Sequence, residues 1–359
     1  LNVTATGRLR MIEPAYKSAD TSRNDSSLGL LLQKRLYDFG YSDARGQSAD
    51  AEMVGSRWQK LHAEQQTRLA VMRAFFDVIL ADLDFARDNE AMAIAYLRAD
   101  RAQDRNELGQ MSDVDLLQAE AESEEARRLR FASETRQLLT RSRLAMVMGR
   151  PGDLVSDLVS PQIVLPEQDA GSFQEFWDAV LQNNPELLAL RAKRDAAMAD
   201  LEAAKKRHGP VLSAELEASV RNRNTASTHP LGGGLLLEVP LSSGGQRDAA
   251  VAHARAVLLS QQSALREAML RLQQQARELW AARTTLRADI RAFQKQGDYR
   301  DLYLDRSRAL YEMEVKTDLG DAMTRTSEVR RRLRGAVVEW AINEASMQAL
   351  TGKLLENES

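Results

Sequence analysis

The sequence predicts an α+β protein in which alternating strands lead into very long helices. Three observations support this fold class. Polar and apolar residues alternate strictly over residues 212–221, proline-free stretches of more than sixty residues carry apolar residues at helical spacing, and the pattern occurs twice. Strict alternation is typical of a strand with one apolar face and one polar face, whereas spacings of three and four residues are typical of helices.

Composition agrees with long helices and excludes several classes of protein. Of the 359 residues, 28% are charged and only 5% are aromatic, the formal net charge is -3, and cysteine is absent. Disulfide scaffolds, thiolate metal sites and cysteine nucleophiles are therefore excluded. No stretch of about 18 uncharged apolar residues is present, which excludes a membrane-spanning helix but not membrane strands, because only alternate side chains of such strands face lipid.

The chain contains an internal repeat. The segment that begins at Leu30 aligns with the segment that begins at Leu235 at a constant offset of 205, and Gly149 aligns with Gly352 at an offset of 203. Repeat 1 covers residues 1–149, with strands at about 1–11 and 28–36 and helices at about 42–107 and 112–148. Repeat 2 covers residues 172–352, with a leading helix at 173–208, strands at about 211–221 and 235–241, and helices at about 246–313 and 317–350.

A proline-bearing linker at 150–171 separates the repeats, and residues 353–359 form a C-terminal tail. At about 1.5 Å per residue, the helix at 42–107 is about 100 Å long. We expect its apolar stripe to be buried in coiled-coil seams against antiparallel neighbours. Because repeat 1 has no counterpart of the leading helix, we also expect the sequence to be incomplete at its N-terminus.

These residues resemble the TolC family of outer-membrane channel proteins. The segment Asn184-Pro185-Glu186-Leu187 resembles the start of a repeat in that family, and the segment from Val239 to Gln246 is similar to its entry into a long helix. The resemblance implies a homotrimer in which each subunit gives four strands to one twelve-stranded β-barrel in the outer membrane. The helices would continue into the periplasm as a coiled-coil α-barrel.

The resemblance also implies partners and sites. The partners would be outer-membrane lipid, a periplasmic adaptor (membrane fusion) protein and an inner-membrane pump of the RND or ABC type. Acids just past the helix breaks resemble the periplasmic gate of the family: Asp113, Asp115, Asp318 and Asp321. The breaks themselves would be adaptor-contact tips: Leu108, Gly109, Gln110, Met313, Glu314 and Val315. The apolar strand residues would face lipid: Val3, Ala5, Leu9, Leu212, Leu216, Val220, Leu235 and Leu237.

Alternative interpretations compete with each of these sites. Ser112 and Thr317 can act as helix N-caps, in which case the acids only stabilise the first helical turn. The second tip has Glu314 where the first tip has glycine. This difference argues against the same mode of adaptor docking at the second tip. The arginine clusters at 127–130 and 330–334 are flanked by acids and lack aromatic residues, so we expect solvated coiled-coil faces there and no nucleic-acid binding. The four histidines have no partners at metal-ligand spacing, and no cofactor or enzymatic chemistry is expected.

The leading functional hypothesis is a gated exit duct of a tripartite export system, in the outer membrane with a periplasmic extension. The outer-membrane channel of a type I protein-secretion system has the same architecture and remains an alternative. A soluble coiled-coil scaffold would explain the helices, but it would not explain the alternating strands.

Overall fold

A computed structural model describes residues 1–14, 22–154, 158–165, 171–222, 230–313 and 319–355. The elements follow in chain order as β1 (Asn2–Arg8), β2 (Ser27–Tyr37), α1 (Tyr41–Glu107), α2 (Asp113–Val147), α3 (Phe173–Asn183), α4 (Pro185–Lys206), β3 (Val211–Arg221), β4 (Leu231–Glu238), α5 (Gln246–Glu312) and α6 (Leu319–Leu350). The chain is thus mostly helical with one four-stranded antiparallel sheet, as the sequence predicts. Among the described residues, no helix is apolar enough over a sufficient length to cross a bilayer.

The sheet has the order β1-β2-β3-β4, with every neighbouring pair antiparallel. Its central pair joins distant parts of the chain, since Leu32 in β2 lies opposite Leu216 in β3. A register shift between Arg35 and Tyr37 places one extra residue in β2 near the end of the strand. Such a bulge bends a strand and increases its twist.

Three element boundaries differ from the sequence prediction. The predicted leading helix at 173–208 is two helices, because Pro185 has no N–H to donate and disfavours a helical conformation at Asn184. Strand β1 ends at Arg8, so Leu9 lies outside it. Strand β4 begins four residues before the predicted 235, with its glycines paired to β3, and it ends before Pro240, which cannot donate to the ladder.

The chain divides into two compact units, and each takes segments from both predicted repeats. Unit 1 comprises Leu1–Arg57 and Ala189–Glu267, and unit 2 comprises Trp58–Leu188 and Ala268–Ser359. Unit 1 contains the sheet. Within it, α1 packs on α4 at Gly55, where an added Cβ would lie 3.4 Å from the Cβ of Ala192.

Unit 2 contains long helices that pack in a defined order. Helix α1 packs on α2 through Ala74, Val78 and Leu144. It packs on α6 through a second cluster that contains Phe76, Ile79 and Val338. Helix α6 in turn packs on α5 through Leu286, Ile290, Ala336 and Trp340. The order of contacts among these four helices is therefore α2–α1–α6–α5, with α1 and α6 in the middle.

Candidate functional site

The sheet in unit 1 has one apolar face and one polar face. Directly opposed residues of antiparallel strands share a face. The pairs Val3–Leu32, Leu32–Leu216 and Ala214–Leu235 therefore place apolar side chains together. Of the lipid-facing residues predicted from the sequence, seven lie on this face of the strands: Val3, Ala5, Leu212, Leu216, Val220, Leu235 and Leu237. Leu9 lies beyond the end of β1.

This apolar face is open within the subunit. The exposed fractions of Leu216, Val220 and Leu235 are 53%, 74% and 71%. A glycine in β4 provides space for the central leucine, because a Cβ at Gly233 would lie 3.0 Å from Cδ2 of Leu216. An exposed apolar surface of this kind marks a site that contacts lipid or another protein.

The opposite face of the sheet is polar. It presents Thr4, Thr6, Glu215 and Glu217, and the Gln33 side chain donates a hydrogen bond of 2.9 Å to Glu215 across the β2–β3 pair. Carboxylates on neighbouring positions of one face need water or polar partners. The sheet can therefore separate an apolar phase from an aqueous one.

The joint between β2 and α1 is fixed by Asp38, which the sequence prediction missed. Asp38 is only 7% exposed and accepts hydrogen bonds from the backbone N–H of Ser42 at 3.1 Å, from the Ser42 hydroxyl, and from Arg35 at 3.2 Å. Burial alone would raise the pKa of Asp38, but these hydrogen bonds and the Arg35 charge outweigh it and lower the pKa. An Asp just after a strand and four residues before a Ser at the start of a helix is the sequence signal of this cap.

The turn between α1 and α2 in unit 2 is the first predicted adaptor-contact tip. Gly109 has φ of 68°, and the N–H of Gln110 bonds to the carbonyl of Arg105 at 2.8 Å. A left-handed residue with such a bond is a common helix C-terminal motif that favours glycine. Leu108 is 71% exposed beside this turn. The second tip is described only at Met313, which is 63% exposed, since Glu314 and Val315 lie outside the described residues.

Two predicted gate acids sit at the start of α2 and have local hydrogen-bond partners. Ser112 is the N-cap, and its hydroxyl accepts from the N–H of Asp115 at 3.2 Å and donates to the Asp115 carboxylate at 2.7 Å. Asp113 accepts a hydrogen bond of 2.9 Å from Asn106. Both acids therefore lie in the first turn of α2, as the alternative interpretation expects, and both residues are exposed at the tip.

Asp321, another of the predicted gate acids, lies at the start of α6. Asp321 accepts a hydrogen bond of 2.7 Å from Nε of Arg325, one helical turn further on. This hydrogen bond and the Asp321 charge raise the pKa of Arg325, so the guanidinium keeps its charge. Asp318 lies outside the described residues.

A polar seam joins α1 and α6 on the tip side of their apolar contacts. Arg331 donates two hydrogen bonds to Asp84, of 2.8 and 3.1 Å, and Ser327 donates one of 2.6 Å to Glu90. The Asp84 partner raises the pKa of Arg331, mainly through these hydrogen bonds. Arg331 belongs to the arginine cluster at 330–334, which the sequence predicted to be a solvated helix face. In the structure, however, it forms an interhelical ion pair with the buried carboxylate of Asp84.

A sheet with one apolar and one polar face, together with long helices and an exposed turn between α1 and α2, indicates a channel-forming class of envelope protein. Residues 177–353 match the family described as outer membrane efflux protein. This match over just under half of the chain confirms the TolC-type resemblance. The family consists of efflux proteins and not of enzymes. No curated protein matches this sequence closely.

Solved structures share the fold over nearly the whole chain. The outer-membrane channel CmeC of Campylobacter jejuni matches with a TM-score of 0.78 and 14% identity, covering 100% of this chain and 78% of that chain. A membrane protein from Pseudomonas aeruginosa matches with a TM-score of 0.77 and 19% identity, covering 98% and 80%. The outer membrane protein VceC of Vibrio cholerae matches with a TM-score of 0.74 and 15% identity, covering 98% and 86%.

Proposed function

We propose that this protein is the outer-membrane exit duct of a tripartite export system. Three subunits would combine their four-stranded sheets into a twelve-stranded β-barrel in the outer membrane, and their long helices would form a hollow periplasmic extension. An adaptor protein and an inner-membrane pump of the RND or ABC type would deliver substrate to the helix tips. The match to the efflux family and the fold shared with CmeC and VceC support this proposal.

The observation that carries the proposal is the two-faced sheet with unpaired edges. β1 and β4 are the first and last strands of the sheet. Edge strands present unpaired N–H and C=O groups, which cannot be left exposed in hydrocarbon. Because the sheet has an even number of antiparallel strands, β4 of one subunit and β1 of the next can pair antiparallel and close a barrel. The face with Leu216 and Leu235 would then contact lipid, and the face with Glu215 and Glu217 would line the pore.

Within this proposal the helix tips form the regulated end of the duct. Leu108 and Met313 offer exposed apolar contacts for an adaptor, beside the turn at Gly109. The acids Asp113, Asp115, Asp318 and Asp321 would be repeated three times around the entrance. Mutual repulsion among such carboxylates must be offset by cations or by neighbouring donors. Arg325 is one such donor, since it already pairs with Asp321.

Conductance in planar lipid bilayers tests the proposed duct. We expect the purified full chain to require detergent, to assemble as a trimer and to form water-filled pores when it is added to the bilayer. A chain that stays soluble and monomeric without detergent, and that produces no conductance, would contradict the proposal. A polar-face substitution such as Thr4→Ser is the matched control and should leave pore formation unchanged.

A further inference from the structure

One end of the sheet carries an excess of positive charge. Two connections cross this end, one between β1 and β2 and one between β3 and β4. With the strand ends that border them, at 8–27 and 221–231, they contain six arginines and lysines and only three acids. The net charge of the whole chain is -3, so positive charge is concentrated at this end of the sheet.

The long helices join the sheet at its other end. Helix α1 follows β2, α4 precedes β3, and α5 follows β4. In the proposed duct the helices extend into the periplasm. The positively charged end of the sheet is then the outer mouth of the barrel.

Two arginines lie in one row at this end, on the polar face of the sheet. Arg8 is paired with Ser27, and Ser27 is paired with Arg221. Directly opposed residues share a face, and their Cα atoms are about 4.5 to 5.5 Å apart. The Cα atoms of Arg8 and Arg221, called here the arginine pair, are therefore about 10 Å apart on one face. Side chains alternate along a strand, so this is also the face of Thr6 and Glu217.

Small side chains separate the arginine pair from the acids of the same face. The next row of the polar face consists of Thr6, Gly29 and Ser219. The next described acid along β3 on this face is Glu217, four residues before Arg221. At about 3.3 Å per residue, the two backbone positions are about 13 Å apart. The arginine pair is thus a separate positive site beyond the acidic part of the face.

The other two described arginines at this end have carboxylate partners. Arg10 lies 3.9 Å from Asp25, and Arg23 lies 3.3 Å from Glu13. The arginine pair differs from them. Both of its members are exposed, and neither has an ion pair or a side-chain hydrogen bond with any residue that the structure describes. Its charge is therefore available to a ligand.

The row has the donors that a phosphate group requires. A guanidinium presents a planar fork of N–H donors that fits phosphate oxygens. A phosphate group carries up to two negative charges and three terminal oxygens, so it can accept from both arginines and from the Ser27 hydroxyl. The loop residues 15–21 and 223–229 lie outside the described part of the chain. Their sequence contains two bases and one acid, so they add positive charge to this end.

A cavity lies at the same end of the sheet. Its volume is about 490 Å³, and its lining includes Arg8, Ser27 and Arg221 together with the apolar residues Leu28 and Val220. Small-molecule sites have volumes of about 300 to 1,000 Å³. The cavity can therefore hold a solute that has both a phosphate group and an organic body.

We infer that Arg8, Ser27 and Arg221 form a binding site for the phosphate groups of dissolved anionic solutes at the outer mouth of the duct. This assignment rests on the proposed duct, because barrel closure would place three such sites and six arginines around one opening. Positive charges that converge on an opening raise the local concentration of anions. The row lies on the polar face, so its ligand comes from the aqueous phase and not from lipid headgroups.

Block of the pore current by inositol hexakisphosphate tests the site. At about 0.1 M salt, the compound should block wild-type pores from the loop side. The block should be largely lost at about 1 M salt, where charges are screened beyond about 3 Å. Arg8→Gln/Arg221→Gln should require at least about tenfold more compound for half block, because both charged forks are lost. Arg8→Lys/Arg221→Lys keeps the charge without the forks and should give an intermediate value.

The matched control is Arg10→Gln/Arg23→Gln. It removes the same number of positive charges from the same end of the sheet, but from arginines that already have carboxylate partners. We expect the concentration for half block to rise less than about threefold, since paired charges contribute less to anion binding. Equal shifts in the two double glutamine variants would show that only total charge matters, and they would overturn the site.

A measurement that needs no pore separates this site from the proposed duct. Inositol hexakisphosphate should raise the thermal unfolding temperature of the full chain in detergent, and Arg8→Gln/Arg221→Gln should abolish this shift. If pores conduct but the compound neither blocks nor stabilises them, the site is wrong and the duct is retained. If the compound stabilises only wild type but no pore forms, the site is retained and the duct is wrong.

Liposome insertion distinguishes a solute from a lipid ligand. If the arginine pair binds lipid headgroups, Arg8→Gln/Arg221→Gln should insert poorly into vesicles that contain phosphatidylglycerol, while its block by inositol hexakisphosphate stays like that of wild type. This result would overturn the solute site. Normal insertion together with weakened block would support it.

Discussion

Asp38 shows how one side chain connects a strand to a helix. It lies just after β2 and accepts hydrogen bonds from Ser42 in the first turn of α1 and from Arg35. Asp38→Ala should lower the stability of the start of α1 by about 1 kcal/mol, because a side-chain cap is lost. Hydrogen exchange of residues 41–46 measures this. Asp43→Ala, which removes an acid without such bonds, should have a smaller effect.

The lowered pKa of Asp38 also determines how the stability of the folded state changes with pH. A carboxyl whose pKa is lower in the folded state stabilises that state above its unfolded pKa of about 3.9. The contribution is lost as the pH falls through the lower folded pKa. Wild-type exchange protection in this segment should therefore decrease more steeply below about pH 4 than that of Asp38→Ala. If exchange protection decreased in parallel in the two proteins as the pH falls, Asp38 would not be the cause of the pH dependence.

Arg325 is the residue on which the charge of the proposed gate depends. It donates to Asp321 at 2.7 Å and offsets that negative charge. Arg325→Ala should remove this positive charge from beside Asp321 and strengthen block of the closed pore by multivalent cations. Arg325→Lys, which keeps the positive charge, is the control and should block like wild type. Equal block in all three proteins would indicate that Asp321 serves only the first turn of α6.

At the scale of elements, β3 tests which side of the sheet faces lipid. Leu216→Arg places a charge on the apolar face and should cost about 2 to 4 kcal/mol if the position is at the bilayer midplane. Glu217→Arg changes the next residue, on the polar face, and should be tolerated. Insertion into liposomes and resistance of the trimer to heat measure both. Equal insertion of the two variants would refute the assigned faces.

The contact between α1 and α6 tests how closely these helices approach. A Cβ at Gly320 would lie 2.6 Å from Cγ2 of Ile94, so Gly320→Ala forces the helices apart. We expect a loss of about 1 to 3 kcal/mol, despite the higher helix propensity of alanine. Denaturant unfolding measures the loss. Adding Ile94→Ala should recover part of the stability, and a Gly320→Ala protein as stable as wild type would show that the helices can separate freely there.

At the scale of the whole molecule, the proposed gate depends on threefold repetition. Asp318→Ala/Asp321→Ala removes six carboxylates from a trimer, so block by trivalent cations and the preference for cations should both decrease. Trimer formation should stay intact, because neither residue lies in the sheet whose edges, β1 and β4, would join neighbouring subunits. If these acids are only helix caps, the double variant loses about 1 to 2 kcal/mol of local helix stability and its conductance properties stay unchanged. Single-channel recording with and without a trivalent cation distinguishes the two outcomes.

The sequence by itself determined the features that depend on local periodicity. Alternation at 212–221 predicted β3, the proline-free stretches predicted α1 and α5, and Gly109 marked the turn between α1 and α2. The motifs around Asn184 and Val239 were sufficient to indicate the resemblance to the TolC family. These signals are readable because a strand or helix repeats every two or about 3.6 residues along a continuous segment.

Only the tertiary structure decided which distant segments meet. β2 pairs with β3 although Leu32 and Leu216 are far apart in the chain, and Arg331 finds Asp84 rather than solvent. The glycines of β4 precede the strand predicted at 235–241, yet they are strand residues because β3 supplies their hydrogen-bond partners. Local propensity carries no information about such partners: a glycine or an arginine takes its role from whichever element the fold places beside it, and that depends on packing of the whole chain.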